Sequence, residues 1–416
     1  MSAQRKTLIQ NFVSLSVVQG LSILFPLITF PYLIRILGIE GFGFFSLVQT
    51  FIMYFDLLVS FGFGLTATKR ISANILDELM IKRIIVAVYI IKAFLFTISL
   101  VIFIACSFTA YLKGHFYLLP LASFYLLGNM LFPDWYFQGI QKMRNITFVT
   151  LISKAVSLLL IILLVKEKTD IEYAVIALSA GNMIAGIIAM VLMLKNLNKS
   201  FVKPDIFFVK EMFYESLYVF ISIILVPLYS SVNIFILRFF TNSLMVGYYA
   251  VAEKILNAVG MLASIINRTF YPYLSQLYII SLELYKKNIQ RLLLIIGSVF
   301  FVLAAMQFSG ATIIIKFLMG KDHGDISYAV TLLKIMSIAL PFSPFVSFYF
   351  QLMIIQGQKK ESAVNIGVTG FVNIITASIF TYFWSAVGLA VNLCIMMIML
   401  CLLNRRSFFR KIQLLN

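Results

Sequence analysis

Charge is scarce in this 416-residue chain. Asp, Glu, Lys and Arg make up 12% of it while apolar residues reach 62%, against roughly 25% and 45–50% in soluble domains. That balance excludes a soluble globular protein. Histidine is nearly absent, with only His115 and His323, and the three cysteines, Cys106, Cys394 and Cys401, lie apart within apolar runs. Neither set has metal-ligand spacing or the pattern of a disulfide framework, so the cysteines read as small packing hydrophobes. No Walker A loop, dinucleotide glycine fingerprint or aspartate-rich metal motif occurs, so the chain is expected to need no cofactor or metal and to hydrolyse no ATP. The first apolar run is too long for a signal-peptide core and lacks a small-residue cleavage pattern, so a retained N-terminus is expected.

What the chain has instead is long apolar runs. Phe12–Ile34 and Phe44–Leu65 each match the 20 or so helical residues that cross a hydrocarbon core. The short stretch between them, with Gly38, Gly41 and Gly43, reads as the turn of a helical hairpin, and Pro26 and Pro31 predict a kink in the first helix. Further spans are expected near Ile84–Phe108, Phe116–Gln138, Ile146–Val165, Tyr173–Leu194, Ser216–Phe240, Gly247–Asn267, Leu292–Ile315, Ala329–Ile355, Val364–Phe383 and Ala386–Leu403. Glu78 and Lys82, four residues apart, predict a short surface helix in the loop before the third span. The basic connection Lys195–Phe213, with Pro204, has the strongest linker character, so two domains are expected, 1–200 and 201–416.

The fold class is therefore an all-α polytopic membrane protein with about 12 transmembrane helices in two six-helix bundles. Six is even, so the bundles are parallel repeats, an arrangement that places a central cavity between them. Two echoes support a repeat: Leu21–Pro26 with Ile223–Pro227, and Gly43-Phe44-Phe45-Ser46 with Gly247-Tyr248-Tyr249-Ala250.

The net charge of +17 follows from topology. With the N-terminus inside, 22 of the 33 Lys and Arg fall in cytoplasmic segments and five, Lys113, Lys166, Lys168, Lys316 and Lys321, in the opposite loops. This asymmetry places both termini in the cytoplasm and explains the basic excess by orientation and membrane-lipid contact, with no nucleic-acid partner.

Polar groups inside spans face a bundle interior or a wet cavity, because exposing a charge to lipid costs about 2.5–3.5 kcal/mol. Gln19, Ser22, Pro26 and Thr29 share one face of the first helix, and Gln49, Asp56 and Ser60 one face of the second. Pro227, Ser231 and Arg238 line the seventh, and Glu253, Asn257, Gly260, Ser264 and Asn267 the eighth. Such stripes either line a cavity or join helices. Six cations, Arg35, Lys92, Lys154, Arg238, Lys254 and Lys334, outnumber three acids, Asp56, Asp134 and Glu253, within the spans. An anionic substrate would balance the excess, with Lys154 and Lys254 foremost; snorkelling accounts equally well for Arg35 and Arg238.

The run Gln19…Pro26-Leu27-Ile28-Thr29-Phe30-Pro31-Tyr32-Leu33-Ile34-Arg35-Ile36-Leu37-Gly38, then Gly41-Phe42-Gly43 and Phe61-Gly62-Phe63-Gly64-Leu65-Thr66-Ala67-Thr68, resembles the N-terminus of Wzx-type polysaccharide flippases. Pro133-Asp134-Trp135-Tyr136-Phe137-Gln138-Gly139-Ile140-Gln141-Lys142-Met143 resembles that family's segment at the end of the fourth helix. The resemblance covers the first 150 residues by motif and the rest by hydropathy. It implies a MATE-like fold in a bacterial inner membrane and a lipid-linked oligosaccharide substrate carried on undecaprenyl diphosphate. It also implies a polysaccharide polymerase and chain-length protein as partners, and coupling to an ion gradient. The coupling acids would be Asp56, Glu253 and Asp134, although Asp134 serves equally to anchor the Trp135 segment. A multidrug cation exporter of the same fold remains an alternative that predicts an acid-biased cavity. A membrane glycan polymerase or glycosyltransferase would need a large outer loop or clustered acids, and the chain has neither.

Topology is testable directly. Reporter fusions after Asn416 are expected to give a cytoplasmic signal and fusions within Lys316–Tyr328 an external one; a cytoplasmic signal from the latter overturns the assignment.

Overall fold

A computed structural model describes residues 2–413 except 110, 111, 113, 198–201, 203, 230 and 321–324, and omits the side chains of 2–16, 19, 21–23, 264, 265, 268, 272, 412 and 413. The described residues are helical and contain no strand: α1 Ser2–Ser60, α2 Phe63–Ala73, α3 Glu78–Ser107, α4 Leu118–Leu131, α5 Asp134–Gly139, α6 Met143–Leu164, α7 Ile171–Lys195, α8 Ile206–Ile224, α9 Val232–Phe240, α10 Ser243–Ile280, α11 Leu282–Met319, α12 Ile326–Ser337, α13 Ser343–Ile355 and α14 Lys359–Gln413. Seven helical stretches among them are long and apolar enough to cross a membrane. Two of these, Leu24–Ala73 and Lys359–Lys411, run for 50 and 53 residues, enough for two passes each.

Both double-length helices break at one residue. α1 breaks at Gly38 (φ 71, ψ 177) and α14 at Ser385 (φ 54, ψ −140). The turn expected in the glycine-bearing stretch 37–43 narrows to one residue, Gly38, whose missing Cβ permits that backbone, with helix on both sides of it. α1 stays helical through Pro26 and Pro31, where the kink is expected. Proline removes one hydrogen bond but keeps a helical φ. Breaks also divide two expected spans. Phe116–Gln138 becomes α4 and α5, parted at Phe132-Pro133, and Ser216–Phe240 becomes the end of α8, a 3-10 turn at Pro227–Tyr229, and α9. Glu78 and Lys82 do pair, at 2.9 Å, but on the first turns of α3 rather than on a separate surface helix. Asp77 caps that helix by accepting from the Met80 N–H at 2.9 Å, a bond that typically contributes about 1 kcal/mol.

The chain forms two compact units, one of residues 1–37 and 47–224, the other of residues 38–46 and 225–416. The division falls after α8 rather than at 200/201, and the reason lies in what α8 touches. Arg70 on α2 bonds Glu211 and Glu215, one turn apart on α8, at 2.5 and 2.7 Å. Thr66 and Ser216 share a buried hydroxyl bond of 2.8 Å, and Phe61 stacks between Phe213 and Phe220. These contacts bind α8 along its length into the first unit. There α7 presents a small-residue face: a Cβ on Gly186 would overlap the Gly128 carbonyl of α4, and one on Gly181 would overlap Ser157 of α6. Small residues let helix backbones touch where no hydrophobic effect drives association.

In the second unit, residues 39–46 cross the start of α10 by the same means. A Cβ on Gly43 would overlap the Ser243 carbonyl, and a Cβ on Gly247 the Ile39 carbonyl. Each glycine thus packs on the residue four positions before the other, so the echoed Gly43 and Gly247 motifs meet in a reciprocal, locally two-fold contact. Ser243 donates to Glu40 Oε1 at 2.9 Å beside it.

This crossing predicts a sharp contrast. Gly43→Leu and Gly247→Leu are each expected to destabilise by at least the roughly 1–3 kcal/mol of an overpacked core. Gly310→Ala, whose new methyl would meet only Ile314 Cδ1 at 3.8 Å, is expected to be neutral or to stabilise by up to about 1 kcal/mol. Melting temperatures of the detergent-purified variants test this; an unchanged value for both leucine variants refutes the contact.

Candidate functional site

Three charged residues of the first unit, Asp56, Lys92 and Asp134, gather at the break between α4 and α5. Pro133 cannot donate a backbone hydrogen bond, so the α4 helix ends with carbonyls that have lost their usual partners. In a membrane these need internal donors, and two side chains of α3, three residues apart and so on one face, supply them. Tyr89 Oη donates to the Leu131 carbonyl at 2.9 Å, and Lys92 Nζ to those of Asn129 at 3.0 Å and Phe132 at 3.5 Å. Lys92 is only 3% exposed. Two carboxylates, Asp134 on the first turn of α5 and Asp56 on α1, lie within electrostatic reach of its ammonium without closing an ion pair. Asp134 also accepts from the Trp135 backbone N–H.

A cavity of about 150 Å³ opens beside this cluster, lined by Lys92, Asp134, Trp135, Ser60, Gly64 and Phe220 among others. Two atoms in the cluster are buried without a hydrogen-bond partner, Asp56 Oδ1 and Trp135 Nε1. Of the expected site residues, then, the fold brings together Asp56, Lys92 and Asp134. Lys154 lies apart from them. It is half-buried, with its ammonium 4.8 Å from the centre of the Phe25 ring, and makes no ion pair among the described residues.

The second unit has its own polar centre. Glu253 is 6% exposed and stands beside Tyr249 and the adjacent Lys254. Asn233 Nδ2 donates to Tyr249 Oη at 3.3 Å, Asn373 Nδ2 to Asn233 Oδ1 at 2.9 Å and to the Leu228 carbonyl at 3.2 Å, and Asn392 Nδ2 to Asn373 Oδ1 at 2.8 Å. All three asparagines are fully buried. The sequence reading passed over them, because Asn233 on α9 and Asn373 and Asn392 on either side of the α14 break each sit among apolar neighbours in sequence. Their one visible signal is an asparagine within a span, which seeks a partner across helices.

The remaining candidates separate. Thr29 is buried, and its hydroxyl donates back to the Phe25 carbonyl of its own helix at 2.9 Å. The stripe on α10 does not share one environment: Asn257 is exposed, while Asn267 is buried and donates to Ser347 Oγ at 2.6 Å. Gln49 and Ser231 are half-buried and Arg35 is exposed. Arg238 packs 5.7 Å from the Phe44 ring and donates to the Thr241 carbonyl at 3.2 Å, and Lys334 lies 5.5 Å from the Phe308 ring. The Gln19 side chain lies outside the described residues.

Comparison with known proteins places this arrangement. The family described as "Polysaccharide biosynthesis protein" matches residues 8–278. A "Putative O-antigen transporter" of Escherichia coli (strain K12) is 31% identical over 401 residues, 94% of each chain. Among solved structures, an inward-facing multidrug resistance MATE family transporter of the MOP superfamily aligns with a TM-score of 0.73 at 13% identity, covering 97% of this chain and 99% of the other. The lipid II flippase MurJ, in an inward closed conformation, aligns at 0.65 and 16% identity, covering 96% and 87%. These two likenesses establish the fold alone. With the family match spanning more than half of the chain and the transporter relative nearly all of it, this multi-pass membrane protein belongs to the polysaccharide biosynthesis family of Wzx-type flippases.

Proposed function

We propose that the protein moves an undecaprenyl-diphosphate-linked oligosaccharide, a repeat unit of O-antigen, capsule or a related polysaccharide, from the cytoplasmic to the outer face of the bacterial inner membrane. The head group passes through a polar, cation-bearing interior by alternating access while the polyprenyl tail stays in lipid. Twelve spans with both termini in the cytoplasm carry this cycle, ion coupling engages Asp56, Asp134 and Glu253, and a polysaccharide polymerase with its chain-length protein receives the product.

The observation that carries the reading is Lys154. Its half-buried ammonium has only the Phe25 ring as a described cationic contact, and a charge taken out of water stays charged at low cost only where an anion replaces its hydration. A diphosphate is such an anion. Lys254 is its counterpart in the second unit, with Glu253 beside it in the chain. Arg35, Arg238 and Lys334 are further contributors. Lys92 is assigned no part in this role, because its ammonium donates to the carbonyls at the α4–α5 break and already has two carboxylates within electrostatic reach.

Lys154→Ala and Lys254→Ala are each expected to lower glycan export about tenfold or more, the loss of one hydrogen bond to a charged group, with membrane abundance unchanged. Lys→Arg at either position is expected to be milder, since charge is required before shape. Surface glycan and protein level measured together decide the matter: normal export by both alanine variants at normal abundance refutes the head-group role, and loss of folded protein in step with export assigns the lysines to helix packing.

A further inference from the structure

The cluster in the first unit holds two carboxylates around one ammonium, and that ratio limits what its cavity accepts. An anionic head group meets a site whose acids outnumber its cation. A metal cation would need several oxygen ligands, but Lys92 Nζ already occupies the space between the Asn129 and Phe132 carbonyls and faces both carboxylates. A fixed ammonium at the centre repels a second cation.

One species remains that neutralises the cluster without needing a coordination sphere. Asp56 Oδ1 is buried without a hydrogen-bond partner, and a carboxylate oxygen so placed is stabilised by carrying hydrogen rather than charge. The other titratable groups facing the cluster are Tyr125 of α4, toward Asp56, and Tyr89 of α3, toward Asp134. The cavity walls contributed by α2 and α8, Gly64, Leu65, Phe220 and Ile223, bear no charge.

We propose that Asp56, Lys92 and Asp134 form a proton site, which takes one proton from solvent through the cavity, holds it as a carboxylic O–H on one of the two aspartates, and uses Lys92 as the positioning counter-charge. Occupied, the cluster is neutral; empty, it bears one net negative charge. The site deepens the ion-coupling reading above by naming the ion. It rests on that reading only for its place in the transport cycle, because binding of the proton is a property of the first unit alone.

The chain carries a reporter for this. Trp135 lines the cavity with its indole nitrogen unpartnered, and the only other tryptophan, Trp384, is 58% exposed. In the detergent-purified full-length Trp384→Phe protein, Trp135 emission is expected to titrate with pH and to stay constant when sodium replaces choline at fixed pH and ionic strength. Adding Asp134→Asn or Asp56→Asn is expected to abolish the titration with an unchanged size-exclusion profile. Lys92→Gln, which keeps a donor for the two carbonyls but removes the charge, is expected to move the midpoint to more alkaline pH. A flat pH response, a titration that survives in both asparagine variants, an unmoved midpoint in Lys92→Gln or a saturable response to sodium would each overturn the proposal. No lipid-linked substrate enters the measurement, so the proton site and the flippase reading succeed or fail separately.

Discussion

Backbone groups inside a bilayer have no water to turn to, and this constraint governs where the helices of this protein stop and what stands beside each stop. At three such stops a side chain from elsewhere reaches the freed carbonyls. Lys92 and Tyr89 serve the break at Phe132-Pro133, Asn373 serves the 3-10 turn after α8, and Tyr32 serves the end of α6, donating to the Val165 carbonyl at 2.8 Å. Polar residues are few in such a chain, so those that close a break also become the centres on which other polar groups gather. The aspartates around Lys92 and the asparagines around Asn373 are both products of a broken helix.

That origin separates the intramembrane cations into two kinds. Lys92 is held on several sides, by carbonyls and carboxylates, and cannot leave them without exposing a helix end. Lys154, Lys334 and Arg238 lie instead against aromatic rings, an attraction of about 0.5–2 kcal/mol that holds a cation in position and yields readily to a full negative charge. The difference is between an ammonium bonded to backbone carbonyls and cations set against ring faces. Counting cations along the sequence merges the two.

Much of the fold was legible because hydropathy over 20 residues reports the membrane rather than neighbouring side chains. The apolar runs therefore coincide with helices whether or not their partners are known. Breaks were harder to read. Ser385 adopts a positive φ that no local rule assigns to serine; the crowding of Gly388 against the Phe380 carbonyl shows how tightly that turn closes. Of the site, the aspartates and Lys92 stood out as charges in apolar surroundings, but their convergence did not, because the carbonyls that draw Lys92 in carry no sequence letter. Asn233, Asn373 and Asn392 were invisible singly for the same reason: a buried amide acquires meaning only from the amide opposite. The Gly43 and Gly247 echo went the other way, since a faint similarity between distant segments proved to be a physical contact.

That contact ties two distant stretches of chain into one unit of inheritance. Gly43 and Gly247 each occupy the only space the other's backbone leaves, so neither position can drift on its own: a methyl gained at one has nowhere to go until the opposite helix withdraws, and withdrawal opens a gap that the remaining glycine cannot fill. Two residues separated by 204 positions of sequence thus form a single steric unit.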